Sequence, residues 1–121
     1  MQKRKILLVE DELTLRDTIE EILDFNDFEV KTASNGEIAL EILGAWQPDI
    51  IVSDVMMPVM SGFNLIERVN ALDHLKDIPF IFLSALVAKD EQKKGLDLGA
   101  KAFITKPFKT IDLLKLIEKY I

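Results

Sequence analysis

Cysteine is absent from the 121-residue sequence, and histidine occurs once, at His74. The first absence removes disulfide frameworks, thiolate nucleophiles and cysteine metal sites together, and is compatible with a reducing cytosol. Long apolar runs are missing as well. Ile6-Leu7-Leu8-Val9, which follows the start Gln2-Lys3-Arg4-Lys5, is too short for a signal peptide or a membrane span, so the expectation is a cytoplasmic chain without a membrane partner. Basic charge is in deficit: Lys and Arg number 15 against 21 Asp and Glu, a net charge of -6. That sum opposes broad contact with a polyanion, so no direct nucleic-acid binding is expected. Internal repeats, low-complexity runs and linkers are also lacking. With 49% hydrophobic and 30% charged residues, the composition is that of a globular domain able to fold without staples. One domain over residues 1–121 is expected.

What the chain does have is alternation. Ile6-Leu7-Leu8-Val9 and Ile50-Ile51-Val52 are apolar without polar interruption, as strands buried on both faces are. Phe80-Ile81-Phe82-Leu83 after Pro79 reads the same way and residues 100–105 make the last strand, while residues 28–32 expose Glu29 and Lys31 as an edge strand does. Between these runs, apolar residues recur at helical spacing: Leu15, Ile19, Ile22 and Leu23; Ala39, Ile42, Leu43 and Trp46; Leu65, Ile66, Val69 and Leu72; and Leu113, Leu114, Ile117 and Ile121. Ser61 and Thr110 are placed to cap the helices that follow them. Residues 89–99 carry a thin apolar stripe interrupted by Gly95, which predicts the least stable helix. Five strand-helix units in strict order predict an α/β three-layer (βα)5 sandwich. Its five-stranded parallel sheet has the flavodoxin-like order 2-1-3-4-5, with helices on both faces.

In such sheets, ligands sit beyond the carboxyl ends of the strands. Glu10, Asp11, Asp54, Ser84 and Lys106 all fall there. Three carboxylates and one ammonium leave two uncompensated negative charges, and like charges about 4 Å apart repel by roughly 4 kcal/mol at an effective dielectric near 20. The site must therefore raise a carboxylate pKa or recruit a divalent cation. An all-oxygen ligand set suits Mg²⁺, with Mn²⁺ as substitute, and not zinc. The same set suits phosphoryl transfer, with Asp54 as the carboxylate nucleophile, Lys106 and the cation neutralising the phosphoryl oxygens, and Ser84 donating a hydrogen bond.

Val9-Glu10-Asp11-Glu12, Ser53-Asp54-Val55-Met56-Met57-Pro58 with Gly62 following, Leu83-Ser84-Ala85, and Lys106-Pro107-Phe108 together resemble a response-regulator receiver domain over essentially the whole chain. The resemblance implies two-component signalling, with Asp54 accepting phosphate from a histidine kinase or phosphotransfer protein. It implies metal ligation by Asp11, Asp54 and the Met56 carbonyl, and by Glu10 through water, since Glu10 stands where the family usually has Asp. Ser84 and Phe103 match the switch positions, and Lys106-Pro107 the position of a cis bond. The readout surface would be residues 89–121, the α4-β5-α5 face, docking an effector or a second copy. Such a domain is not a conventional enzyme but catalyses its own phosphorylation. Apolar Met56 and Leu86, at positions that tune water access, imply slow autodephosphorylation.

Blander readings exist for each residue. Asp54 alone could cap a turn, Lys106 could be a solvated lysine, Ser84 could satisfy a backbone group and Phe103 could be plain core; convergence at four strand ends weighs against the first two. His74 reads as exposed and inert. A haloacid-dehalogenase-like phosphatase would need Asp-x-Asp where Glu10 and Glu12 stand, and acids at 10 to 12 would repel a flavin phosphate. The remaining alternative is a degenerate receiver serving as a phosphorylation-independent interaction module, although such chains lose the acceptor Asp or the Lys, and both are here.

Overall fold

Unbroken apolar strands need cover on two sides, and the computed structural model, which describes residues 2–85 and 88–121, shows both covers. In chain order the elements are β1 (Lys5–Val9), α1 (Leu13–Phe25), β2 (Glu29–Ala33), α2 (Gly36–Leu43), β3 (Ile50–Asp54), α3 (Gly62–Asn70), β4 (Phe80–Ser84), α4 (Lys89–Asp97), β5 (Ala102–Thr105) and α5 (Thr110–Tyr120). All strand pairs are parallel, in the order β2-β1-β3-β4-β5. Side chains alternate across a strand. Leu7, Val9, Ile51, Phe80 and Phe82 therefore pack with Ala39 and Leu43 of α2 and Phe63, Leu65, Ile66 and Val69 of α3. Ile6, Leu8, Ile50, Val52, Ile81 and Leu83 face the other way, onto Ile19 and Leu23 of α1 and Leu113 and Ile117 of α5. The three central strands thus feed two cores, which is why they tolerate no polar alternation.

The edge strand β2 behaves as its polar residues require. Trp46 donates its indole N–H to Glu29 at 3.2 Å, and the Lys31 ammonium lies 5.1 Å from the Trp46 ring centre, so two outward polar residues fasten the aromatic against the edge.

Helix starts follow side-chain chemistry, and the structure departs from expectation at Thr110, at Leu72 and at Trp46, which lies beyond the end of α2 at Leu43. Glu12 caps α1 by accepting from the backbone N–H groups of Thr14 and Leu15, Asn35 caps α2, and Ser61 caps α3 as expected. Thr110 does not cap α5: Lys109 holds that place without a side-chain bond, and Thr110 is already helical. The Lys109 carbonyl accepts from Asp112 and Leu113, and Asp112 puts negative charge in the first turn, which favours the helix without a hydroxyl cap. Leu72 is the second departure. Helix α3 ends at Asn70, so Leu72 leaves the buried stripe and is 41% exposed, while Leu75 fills the core instead. Helix α4 ends at Asp97 rather than 99, has no side-chain cap, and buries only Gly95 among its residues, in keeping with the weak helix expected.

Gly62 is fixed by close approach. A Cβ there would overlap the Asp54 carbonyl oxygen, and the Gly62 N–H donates to Val55 O at 2.7 Å, so the start of α3 lies directly on the end of β3. Backbone cannot yield as a side-chain tip can. Gly62→Ala is expected to lower stability by about 2 kcal/mol or more in urea unfolding with an unchanged m-value; a loss under about 0.5 kcal/mol would contradict this packing.

Candidate functional site

The residues singled out at strand ends come from four strands and meet at one edge of the sheet. Asp54 is the last residue of β3 and Ser84 the last of β4, where it pairs with Thr105; Glu10 and Asp11 follow β1, and Lys106 follows β5. Parallel pairing in register delivers all of these ends together. The Lys106 Nζ donates to Glu10 Oε1 and to Asp54 Oδ2, each at 2.8 Å. Glu10 is 0% exposed and Asp54 6%, so both carboxylates are buried and share one ammonium.

Their other oxygens are engaged too. Asp54 Oδ1 accepts from the Val55 backbone N–H at 2.7 Å, and Glu10 Oε2 accepts from the Glu12 N–H at 3.0 Å. Among the described residues, every buried side-chain nitrogen and oxygen has a partner. Ser84 is buried beside them. Burial pushes the Glu10 carboxyl above its ordinary pKa, with the Asp54 charge adding to it, against the opposing hydrogen bond from Lys106. For Lys106, burial alone would depress the pKa, but the bonds to Asp54 and Glu10 outweigh it and the amine is held above its usual value. The lysine stays charged because two anions require it.

A third carboxylate, Asp11, is exposed, and one oxygen each from Glu10, Asp11 and Asp54 lie within 4.8 Å of one another. The donor set is all oxygen, buried on one side and open at Asp11, which fits a hard divalent cation and not zinc. Met56, two residues past Asp54, turns its side chain to solvent. Leu86 lies outside the described residues.

Phe103 is half-buried on β5, its ring 5.9 Å from that of Phe82. Both rings reach α4 through Gly95, where an added Cβ would lie 3.1 Å from Phe82 and 3.3 Å from Phe103. The Lys106-Pro107 peptide bond is cis. His74 is exposed.

Two features were not read from the sequence. Glu10, expected only as a water-mediated metal ligand, is bonded directly to Lys106; its extra methylene carries the carboxylate into the buried space, a consequence of reach that spacing does not encode. Arg16 was passed over, yet its guanidinium Nη1 donates to the Glu10 carbonyl at 2.9 Å. An arginine near the start of a helix, just after an acidic turn, was the available signal.

The family model of the response regulator receiver domain matches residues 6–118. The chain belongs to that family. Among curated relatives, the probable transcriptional regulator ycf29 of Porphyra purpurea is 34% identical over 96% of this chain and 56% of its own length. The probable transcriptional regulator ycf27 of Cyanophora paradoxa is 39% identical over 93% of this chain and 46% of its own. The receiver thus spans about half the length of the curated relatives it matches. The solved structure of the chemotaxis response regulator CheY4 of Vibrio cholerae superposes with a TM-score of 0.92 at 31% identity, covering 98% of this chain and 99% of that one. The non-phosphorylated HemR receiver domain from Leptospira biflexa has 35% identity and a TM-score of 0.89, covering 98% and 94% of the two chains. This receiver is therefore a component of two-component signalling. Among its described residues, no helix is long and apolar enough to cross a membrane.

Removing the shared ammonium leaves two buried carboxylates facing each other. Breaking a fully buried pair costs about 3–5 kcal/mol, and because the Lys106 side chain is 21% exposed, Lys106→Met is expected to cost about 2 kcal/mol in urea unfolding at neutral pH without divalent cations. Adding Glu10→Gln should recover part of that loss. Additive losses in the double variant would contradict the shared-ammonium arrangement.

Proposed function

We propose that this receiver accepts a phosphoryl group from a phosphohistidine donor onto Asp54 and uses it to control an output partner. The observation that carries this reading is the Asp54 carboxylate at the mouth of the sheet, bonded at 2.8 Å to a lysine that a phosphoryl group could recruit in its turn. One Asp54 oxygen attacks phosphorus while the P–N bond of the phosphohistidine breaks. The leaving imidazole takes the electron pair and then a proton from solvent, leaving an acyl phosphate. Lys106 exchanges its bond to Asp54 for one to a phosphoryl oxygen. Ser84, at the adjacent strand end, supplies a hydroxyl to another.

Asp11, Asp54 and the Met56 carbonyl, with Glu10 through water, are the residues that would hold Mg²⁺ or Mn²⁺. The cation supplies positive charge against the phosphoryl oxygens. Movement of Ser84 toward the new group frees space for the Phe103 ring, and the Gly95 contact passes that movement to α4. Because α4 is uncapped and held by a single buried glycine, the α4-β5-α5 face is the readiest surface to respond, to an effector or a second copy. The length of the relatives and the names of several as transcriptional regulators favour an output domain beyond a receiver of this kind. A histidine kinase or a phosphotransfer protein is the matching donor, in the cytoplasm.

Incubation with acetyl phosphate and Mg²⁺, read by intact mass, should add one phosphoryl group to the wild type and none to Asp54→Asn, and chelation with EDTA should abolish the label. Labelling of Asp54→Asn at the wild-type level would overturn the assignment. Without any phosphodonor, Mg²⁺ should raise the thermal midpoint, by about 1.4 kcal/mol of stability at ten times its Kd. Asp11→Asn should lose most of that gain; an equal gain in both proteins would place the metal elsewhere.

A further inference from the structure

Arg16 is the one basic residue of α1 and the fourth residue of that helix. It is half-buried. Among the described residues it forms no ion pair, although α1 also carries Asp17, Glu20, Glu21 and Asp24. Its side-chain bond goes instead to the backbone carbonyl of Glu10, at 2.9 Å.

That carbonyl belongs to the peptide joining Glu10 to Asp11, so the bond fixes the plane from which Asp11 projects. The rest of the turn is tied on both sides of it. Glu10 N–H donates to Ala33 O at 3.0 Å, the Glu12 N–H donates to Glu10 Oε2 at 3.0 Å, and the Arg16 backbone N–H donates to Glu12 O at 2.9 Å. Among the described residues, no other hydrogen bond reaches the carbonyl of that peptide. Asp11 is the exposed member of the acidic trio and its side chain makes no hydrogen bond among the described residues, so its place depends on the backbone beneath it.

We infer that Arg16 is a positioning residue for the cation site, holding the Glu10–Asp11 peptide so that the Asp11 carboxylate stays beside Asp54. This rests on the reading of the acidic trio as a Mg²⁺ site. Two effects of the guanidinium on a cation have opposite signs. As a nearby positive charge it opposes Mg²⁺ binding, whereas as a tether for a ligand it favours binding. Ordering of a metal ligand by an outer partner is typically worth about 10-fold to 100-fold in affinity.

The test is a Mg²⁺ titration of the unphosphorylated protein followed by its thermal midpoint, on wild type, Arg16→Met and Arg16→Lys. The Mg²⁺ concentration giving half the shift is expected to rise about 10-fold in Arg16→Met. In Arg16→Lys, which keeps the charge and one donor, it should lie between the two. The rate of labelling by acetyl phosphate should fall in Arg16→Met at low Mg²⁺ and return to the wild-type rate at saturating Mg²⁺, which a general loosening of the fold would not produce. An unchanged half-point in both variants overturns the inference, and a tighter half-point in Arg16→Met overturns it in favour of simple charge repulsion. If Arg16→Met does not fold, the shift in Arg16→Lys decides, and its absence counts against the tether. A wild type whose midpoint ignores Mg²⁺ overturns the cation site itself, a failure distinct from one confined to the variants.

Discussion

One ammonium between two buried carboxylates is the constraint on which this receiver's working edge depends. Glu10 follows β1 and Asp54 ends β3, central strands whose buried residues are apolar apart from Ser53, and carboxylates in that setting lose hydration without gaining it back from the core. Lys106 compensates both at once. Because the lysine arrives from the last strand and the acids from the first and third, the pair of bonds also joins elements distant in the chain. Charge balance at the edge and the order of the sheet are in this sense linked: the strand order found here brings the three groups together.

The same balance explains why the site is suited to change. Three carboxylates against one lysine leave an excess of negative charge, which a cation beside the exposed Asp11 would relieve. Under the proposed function, phosphate at Asp54 would alter the count again and would offer Lys106 a different partner. A chain of contacts leads away from that event. Ser84 and Phe82 share β4, Phe82 stacks near Phe103, and both rings touch α4 at a glycine with no side chain to buffer them. The helix at the end of this chain is the one with the fewest anchors, so a small rearrangement at the edge meets little resistance there.

Much of this was legible in the sequence because burial on two faces has a plain signature. The runs Ile6-Leu7-Leu8-Val9 and Phe80-Ile81-Phe82-Leu83 could only be central strands, and strict alternation with helices then dictated a parallel sheet and the edge where ligands gather. The convergence of Glu10, Asp11, Asp54 and Lys106 followed from that topology. What escaped was local. Thr110 misled because a hydroxyl before a helix is a preference, and the turn at Lys109 satisfied its carbonyl otherwise. Leu72 kept helical spacing past the true end of α3. The bonds of the Arg16 and Glu10 side chains were not legible, because side-chain reach across a turn leaves no periodic trace.

The proposed phosphotransfer requires that Asp54, and no other carboxylate of the trio, become the acyl phosphate. Borohydride reduction after treatment with a phosphodonor converts an aspartyl phosphate to homoserine, which peptide sequencing by mass spectrometry locates. Homoserine is expected at position 54 alone, and only when Mg²⁺ is present. Homoserine at position 11, a reduced side chain at Glu10, or modification at 54 that persists unchanged without a divalent cation would contradict it.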